Sequence, residues 1–349
     1  MIYPKVLIVA TSKMTRGGIT SVIKGHETGE QWKLHHCKWL QTHRDGNIVF
    51  KLGYFISALL EYFILLPFYD IIHVHLASGA ISAYRKYIFI KAAKLLKKKV
   101  IIHYHPSSEK WIFQPSRKVF YRDLFLQADL ILVLSGQWKK WLMEALSLNE
   151  KIEILYNPCP SVKRIDNLRE NSILFAGTII PRKGYETLLR GFAQIAFKYP
   201  EWRITFAGNG EIENAKSIAE RLHLENQVEF LGWISGNKKS QVFQKASVYC
   251  LASDGEGFPM GILDAWAYGV PCVVTPVGGI PDIIVNGKNG LIFPVGDYHM
   301  LATQLEKIIV NKELRNEIVR ATDEYVNTVF DVNVINQQLA FIYRKVIEK

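Results

Sequence analysis

The segment EGFPMGILDAWAYGVPCVVTPVGG (residues 256–279) sets one carboxylate, Glu256, in a Gly/Pro loop and a second, Asp264, eight positions later inside an apolar run. A buried acid without a partner is costly, so acids placed like this need something to hold. The preceding ASVYCLAS (246–253) reads as a strand, SDGEGFP (253–259) as its exit loop, and residues 260–268 as the helix that follows, with Pro259 suited to the first turn. Glu256 is then in the loop and Asp264 about one turn inside the helix. The N–H groups of Met260, Gly261 and Ile262 point back into the loop from the positive end of the helix dipole, which makes an anion site. One strand-loop-helix unit thus offers an anion clamp flanked by two acceptors for hydroxyls.

Similar units recur on both sides. Short apolar runs stand at 5–10, 70–77, 99–105 and 128–135, and again at 172–178, 202–210, 227–233, 246–253 and 270–276, with helical segments between them. Strand and helix in alternation predict parallel sheets with crossover helices, an α/β architecture. The connection 154–171 mixes Pro, Asn and charge. The expected arrangement is two doubly wound, Rossmann-like domains facing a cleft, residues 1–165 and 166–329, with a helix at 330–349 packing back on the first. Ligands of such sheets bind outside the carboxyl ends of the strands. After the first strand comes TSKMTRGGIT, whose Gly17 and Gly18 precede a helix near Ile19. This is not GxGxxG, yet a tight glycine turn before a helix lets backbone reach a phosphate.

Composition narrows the classes. The 349 residues are 49% hydrophobic and carry a net charge of +11. That surplus is in the first half: residues 1–165 hold 24 Lys/Arg against 11 Asp/Glu, and the remainder 19 against 21. Cys37, Cys159, Cys250 and Cys272 show no CxxC or even framework, which predicts reduced thiols in a cytosolic setting. At the amino end only Val6–Ala10 is continuously apolar, too short for a signal-peptide core. The most hydrophobic stretch, 52–69, is interrupted by Glu61 and Pro67, which predicts a buried or interfacial helix rather than a span. Nucleic-acid signatures are absent; the cluster KLLKKK (94–99) reads equally as a solvated helix face or a membrane-facing patch.

A nucleotide sugar, with a diphosphate between two polyhydroxyl rings, matches the anion clamp and its two acceptors. EGFPMGILDAWAYGVPCVVTPVGGIPDII, followed by NGKNGLIFPVGD, closely resembles the donor signature of the retaining GT-B glycosyltransferases of family 4 (glycosyl transferases group 1), polysaccharide-assembling type, whose two acids form Glu-x7-Glu. Here the second acid is one methylene shorter. AGTIIPRKGYETLLRGF (176–192) resembles the loop with the diphosphate-binding Lys, placed on Lys183; the family's usual Arg is Thr178 here, with Arg182 nearby. FAGNGE (206–211), which contains Asn209, and VEFLGWI (228–234) also match, as do RGGIT, DIIHVHLASGAISAYRK and KVIIHYHP, which places the family's catalytic-site His on His105.

The resemblance implies a retaining transfer of a sugar from a nucleoside diphosphate, UDP-sugars first, to a lipid-linked or growing polysaccharide acceptor, in the cytoplasm or peripherally at the inner membrane face. It implies no metal and no cofactor, and the sequence has no DxD. Glu256 would hold sugar hydroxyls, Asp264 the ribose, His105 the donor sugar. Lys183, Arg182 and the amides around Phe258, Pro259, Met260 and Gly261 would neutralise the diphosphate, with Thr178 and Asn209 beside it and Gly17 and Gly18 on its other side. Two other readings are distinguishable. The pairs His73/His75 and His103/His105 are each HxH, both members on one strand face, as a His-ligated metal hydrolase would need, but no carboxylate at ligand spacing accompanies them. The departures at Thr178 and Asp264 fit a noncatalytic glycan- or nucleotide-binding protein of the same fold.

Overall fold

The computed structural model describes residues 3–148, 151–165 and 168–348. The boundary expected at 165/166 falls on Asp166 and Asn167, outside the described residues, as do the two chain-end positions of the expected domains. Two compact units form: Met1–Pro158 together with Val332–Lys349, and Cys159–Asp331.

The first unit is built on β1 (Val6–Ala10), β2 (Lys38–Gln41), β3 (Ile71–Ala77), β4 (Lys99–His105), β5 (Leu130–Val133) and β6 (Ile152–Ile154). They form one sheet in the order β2-β1-β3-β4-β5-β6, and each pairing is parallel. Both faces are covered, which is why the central strands are continuous apolar runs. One face packs Ile72, Val74, Ile102 and Tyr104 against helices that include Phe89 and Trp138. The other packs Ile8, Ile71, Ile101 and Leu132 against Ile335, Leu339 and Tyr343 of the helix Val332–Glu348.

The second unit has β7 (Ser172–Ala176), β8 (Arg203–Ala207), β9 (Val228–Phe230), β10 (Val248–Leu251), β11 (Cys272–Val274) and β12 (Leu291–Ile292) in the order β12-β11-β10-β7-β8-β9, again all parallel. The chain winds from β7 outward to β9, then returns to the other side of β7 with β10. Adjacent strands whose crossovers leave in opposite directions open a crevice at their carboxyl ends. That switch point lies between β7 and β10, where Val248 pairs with Ile173.

The connection after β6 does more than link the units. Within the second unit, Arg164 donates to Ala267 O (2.8 Å) and Trp266 O (2.7 Å) and pairs with Asp323 at 2.6 Å. Arg169 donates to Phe243, Gln244 and Ala246 carbonyls at 3.0, 3.0 and 2.8 Å, and to those of Tyr268 and Gly269. The two guanidiniums therefore satisfy carbonyls left over at the ends of the helices Gly236–Lys245 and Met260–Ala267, where the dipole is negative.

Of the two readings of 52–69, buried or interfacial, the buried one does not hold. Helix Ile48–Leu65, capped by Asn47 Oδ1 accepting from Phe50 N at 2.9 Å, buries only Ala58 and Tyr62, the latter donating to Phe89 O at 2.7 Å. Ile48, Val49, Leu52, Leu60 and Ile64 are 59–83% exposed. By length and composition the segment Ile48–Phe68 could cross a membrane, but it rests by one edge on the first unit.

Candidate functional site

The loops leaving β7 and β10 meet. The first turns through Pro181–Lys183 into the helix Tyr185–Ala193; the second carries Ser253 and Glu256 to the helix Met260–Ala267. Lys183 Nζ lies 2.5 Å from Glu256 Oε1, the Ser253 hydroxyl donates to the same oxygen at 2.6 Å, and Arg182 Nη1 stands 3.8 Å from it while donating to Gly255 O. Two glycines permit this approach. Gly184 (φ +68°) would place a Cβ 1.9 Å from Ala252 O, and Gly278 (φ +59°) would place one 1.8 Å from Glu256 O. A side chain at either position would push the loop away from its partner.

Charge decides what the cluster can do. Glu256 is only 5% exposed and faces two cations, Lys183 and Arg182. Asp264, 7% exposed, accepts from Lys239 Nζ at 2.7 Å. Burial pushes its carboxyl above the ordinary value, and the Lys239 charge opposes that shift. Both acids hold lysines, which answers what acids at this spacing hold. Of the three amides expected to face the loop, Ile262 N–H instead turns back to Pro259 O at 3.1 Å. Met260 and Gly261 remain as first-turn donors. Gly261 is also the place where a Cβ would strike the Tyr249 hydroxyl, at 2.1 Å.

The other expected residues are placed as follows. Thr178 is exposed in the loop after β7, and Ile179 N donates to Asn209 O at 2.7 Å while Asn209 Oδ1 accepts from Trp233 N at 2.9 Å. Phe258 is buried against Phe330, ring centroids 5.8 Å apart, and Pro259 caps the helix. In the first unit, Gly17 (φ +150°) opens the helix Gly18–Glu27. His105 ends β4, its Nε2 2.9 Å from His75 Nδ1, with burial lowering its pKa to about 3. His73, His75 and His103 lie on the same sheet face, held neutral by burial. Sequence reasoning missed Lys239 and Ser253. Ser253 was visible as the first polar residue after β10; Lys239 had no signal, because the helix Gly236–Lys245 reaches Asp264 only through tertiary packing.

Two doubly wound, six-stranded parallel sheets are the architecture of the GT-B class of fold. In comparison with known proteins, residues 162–325 match the family of glycosyl transferases group 1 and residues 26–160 match glycosyltransferase family 4. The chain belongs to this glycosyltransferase family. Over 189 residues it is 30% identical to an uncharacterized glycosyltransferase of Haemophilus influenzae, covering 53% of this chain and 53% of that protein. Over 293 residues it is 26% identical to the N-acetyl-alpha-D-glucosaminyl L-malate synthase of Bacillus anthracis, covering 80% and 75%. The match thus spans about half the length of the first relative. The crystal structure of Anabaena HepE in complex with UDP and glucose superimposes with a TM-score of 0.77 at 18% identity, over 98% of this chain and all of that one.

Proposed function

We propose that the protein transfers a sugar, with retention at the anomeric carbon and without a metal, from a UDP-sugar to a lipid-linked or growing polysaccharide acceptor. The observation that carries this reading is the switch-point cluster: Lys183 and Arg182 converge on Glu256 beside the first-turn amides of Met260 and Gly261. Such an arrangement neutralises a leaving diphosphate without a cation. Arg182, already at the cluster, fills the electrostatic place of the arginine replaced by Thr178. On donor arrival Glu256 exchanges its lysine contact for sugar hydroxyls and Lys183 turns to the phosphate. Asp264 accepts from the ribose. A leaving phosphate oxygen takes the acceptor proton, so no protein base is required. That relatives are named as glycosyltransferases, and that HepE binds UDP and glucose, supports the donor class.

Calorimetric titration with UDP, GDP and their sugar conjugates, in chelator, tests this. Micromolar binding of a uridine nucleotide that weakens at least tenfold, about 1.4 kcal/mol, in Lys183→Ala is the expected result. Absence of binding by any nucleotide would sink the reading.

The acceptor's membrane setting has its own support. The exposed apolar helix Ile48–Leu65 ends beside the KLLKKK cluster, where Lys98 Nζ donates to Pro67 O at 2.9 Å. Apolar surface flanked by lysines suits peripheral docking on the anionic inner face of a membrane in the cytoplasm.

A further inference from the structure

The sheet face beneath the helix Val332–Glu348 is not apolar throughout. Along β3, Ile71 is followed on that face by His73 and His75, and along β4, Ile101 by His103 and His105; pairing sets His75 directly opposite His103. Buried polar atoms require partners, and here four of the eight ring nitrogens have none among the described residues. His73 Nδ1 lies 2.8 Å from the Tyr343 hydroxyl, and His75 Nδ1 lies 2.9 Å from His105 Nε2. His26, on the helix Gly18–Glu27, repeats the pattern, with Nδ1 2.9 Å from Asn336 Oδ1. That oxygen also receives Gln31 Nε2, so it is an acceptor and fixes His26 as an Nδ1–H donor. In all three residues Nε2 is left buried with no partner among the described residues, and His103 has neither nitrogen satisfied.

Unpartnered imidazole nitrogens, fully enclosed and gathered, are what an ion site without its ion looks like. We propose that His73, His75 and His103 together hold one divalent transition-metal ion, Zn²⁺ by preference, in a structural site inside the first unit. Their ligand atoms lie within 4.8 Å of one another. Tetrahedral zinc with Zn–N of about 2.0–2.1 Å puts its ligands roughly 3.4 Å apart, so the three close on the ion by small movements. The His73 and His103 ring planes, 12° apart, must turn about χ2 to aim their lone pairs at one point. An all-imidazole set selects zinc, copper or nickel over magnesium or calcium. Tyr343 and His105 take the outer role of holding the Nδ1–H of His73 and His75, and a water completes the coordination. With 0%, 2% and 0% exposure at His73, His75 and His103, the ion has no room for a substrate, so this is not the hydrolase read from the same residues. It ties β3 and β4 to the helix that carries Tyr343.

The test uses tag-free full-length protein, stripped with a strong chelator, dialysed against Zn²⁺ and measured by elemental analysis. The proposal expects about one zinc per chain, a rise in Tm on zinc addition, and loss of both in H73Q and H103Q, while H299A, altered at an exposed histidine, keeps them. If either glutamine variant fails to fold, Co²⁺-loaded wild type decides: intense tetrahedral d–d absorption is expected. No uptake by wild type, uptake unchanged in folded H103Q, or a Co²⁺ spectrum of the hydrated ion would each overturn it.

Discussion

Glu256 and Asp264 differ in what their lysines do for them. Lys183 shares Glu256 with Arg182 and Ser253, whereas Asp264 has Lys239 against a strong burial cost. The folded-state pKa of Asp264 is raised, so its contribution to stability is fully present below the unfolded-state value and is lost as pH rises through the folded one. Asp264→Asn is therefore expected to melt higher than wild type at neutral pH, the gap shrinking as pH falls toward the unfolded carboxylate range, while uridine nucleotide binding weakens. Thermal melts across pH beside calorimetry would show both; equal melting at neutral pH would mean that Lys239 fully offsets the burial. Gly278→Ala should cost about 1–3 kcal/mol, because the residue needs positive φ and its Cβ would overlap Glu256 O, and denaturant unfolding measures it. Sequence alone pointed to Glu256 and Asp264 because a strand, its exit loop and the following helix could be read around them, and to Lys183 through the resemblance of residues 176–192 to the family's diphosphate-binding loop. Lys239 is one cation among 43 Lys/Arg, and only the placement of its helix distinguishes it.

The helix Ile48–Leu65 shows what an element's composition does and does not say. Its hydropathy was plain, but hydropathy does not tell a core helix from a surface one, and the structure leaves most of its apolar side chains in solvent. Leu60→Glu with Ile64→Glu, both at exposed positions, should leave the melting temperature unchanged and weaken binding to anionic vesicles at low salt by at least tenfold; equal binding to neutral and anionic vesicles would remove the docking proposal. The strands beyond sequence reach were β2, β6 and β12, all four residues or fewer and lying at or beside sheet edges. Central strands declared themselves as continuous apolar runs because both faces are buried. The connection 154–171 read as a spacer, yet Arg164 and Arg169 fasten the helix ends that position Asp264. Replacing Arg169 by Ala removes several charge-assisted hydrogen bonds and should destabilise the second unit by about 1–3 kcal/mol, readable as a lower Tm.

Each unit has its own core, so unfolding is expected to show two calorimetric transitions rather than one. UDP should raise only that of Cys159–Asp331, by about 2.7 kcal/mol at a hundredfold excess over Kd; a shift of both transitions together would show the units melting as one. Alternation made the α/β class legible. The helix Val332–Glu348 closes the sheet face formed by Ile8, Ile71 and Ile101 from far along the chain. Synthesis runs in one direction, so on the ribosome the unit begun first is the last to be finished. Until residues 332–348 emerge, the first unit is half-roofed, and its bare apolar and histidine-lined face is where chaperones have most reason to bind.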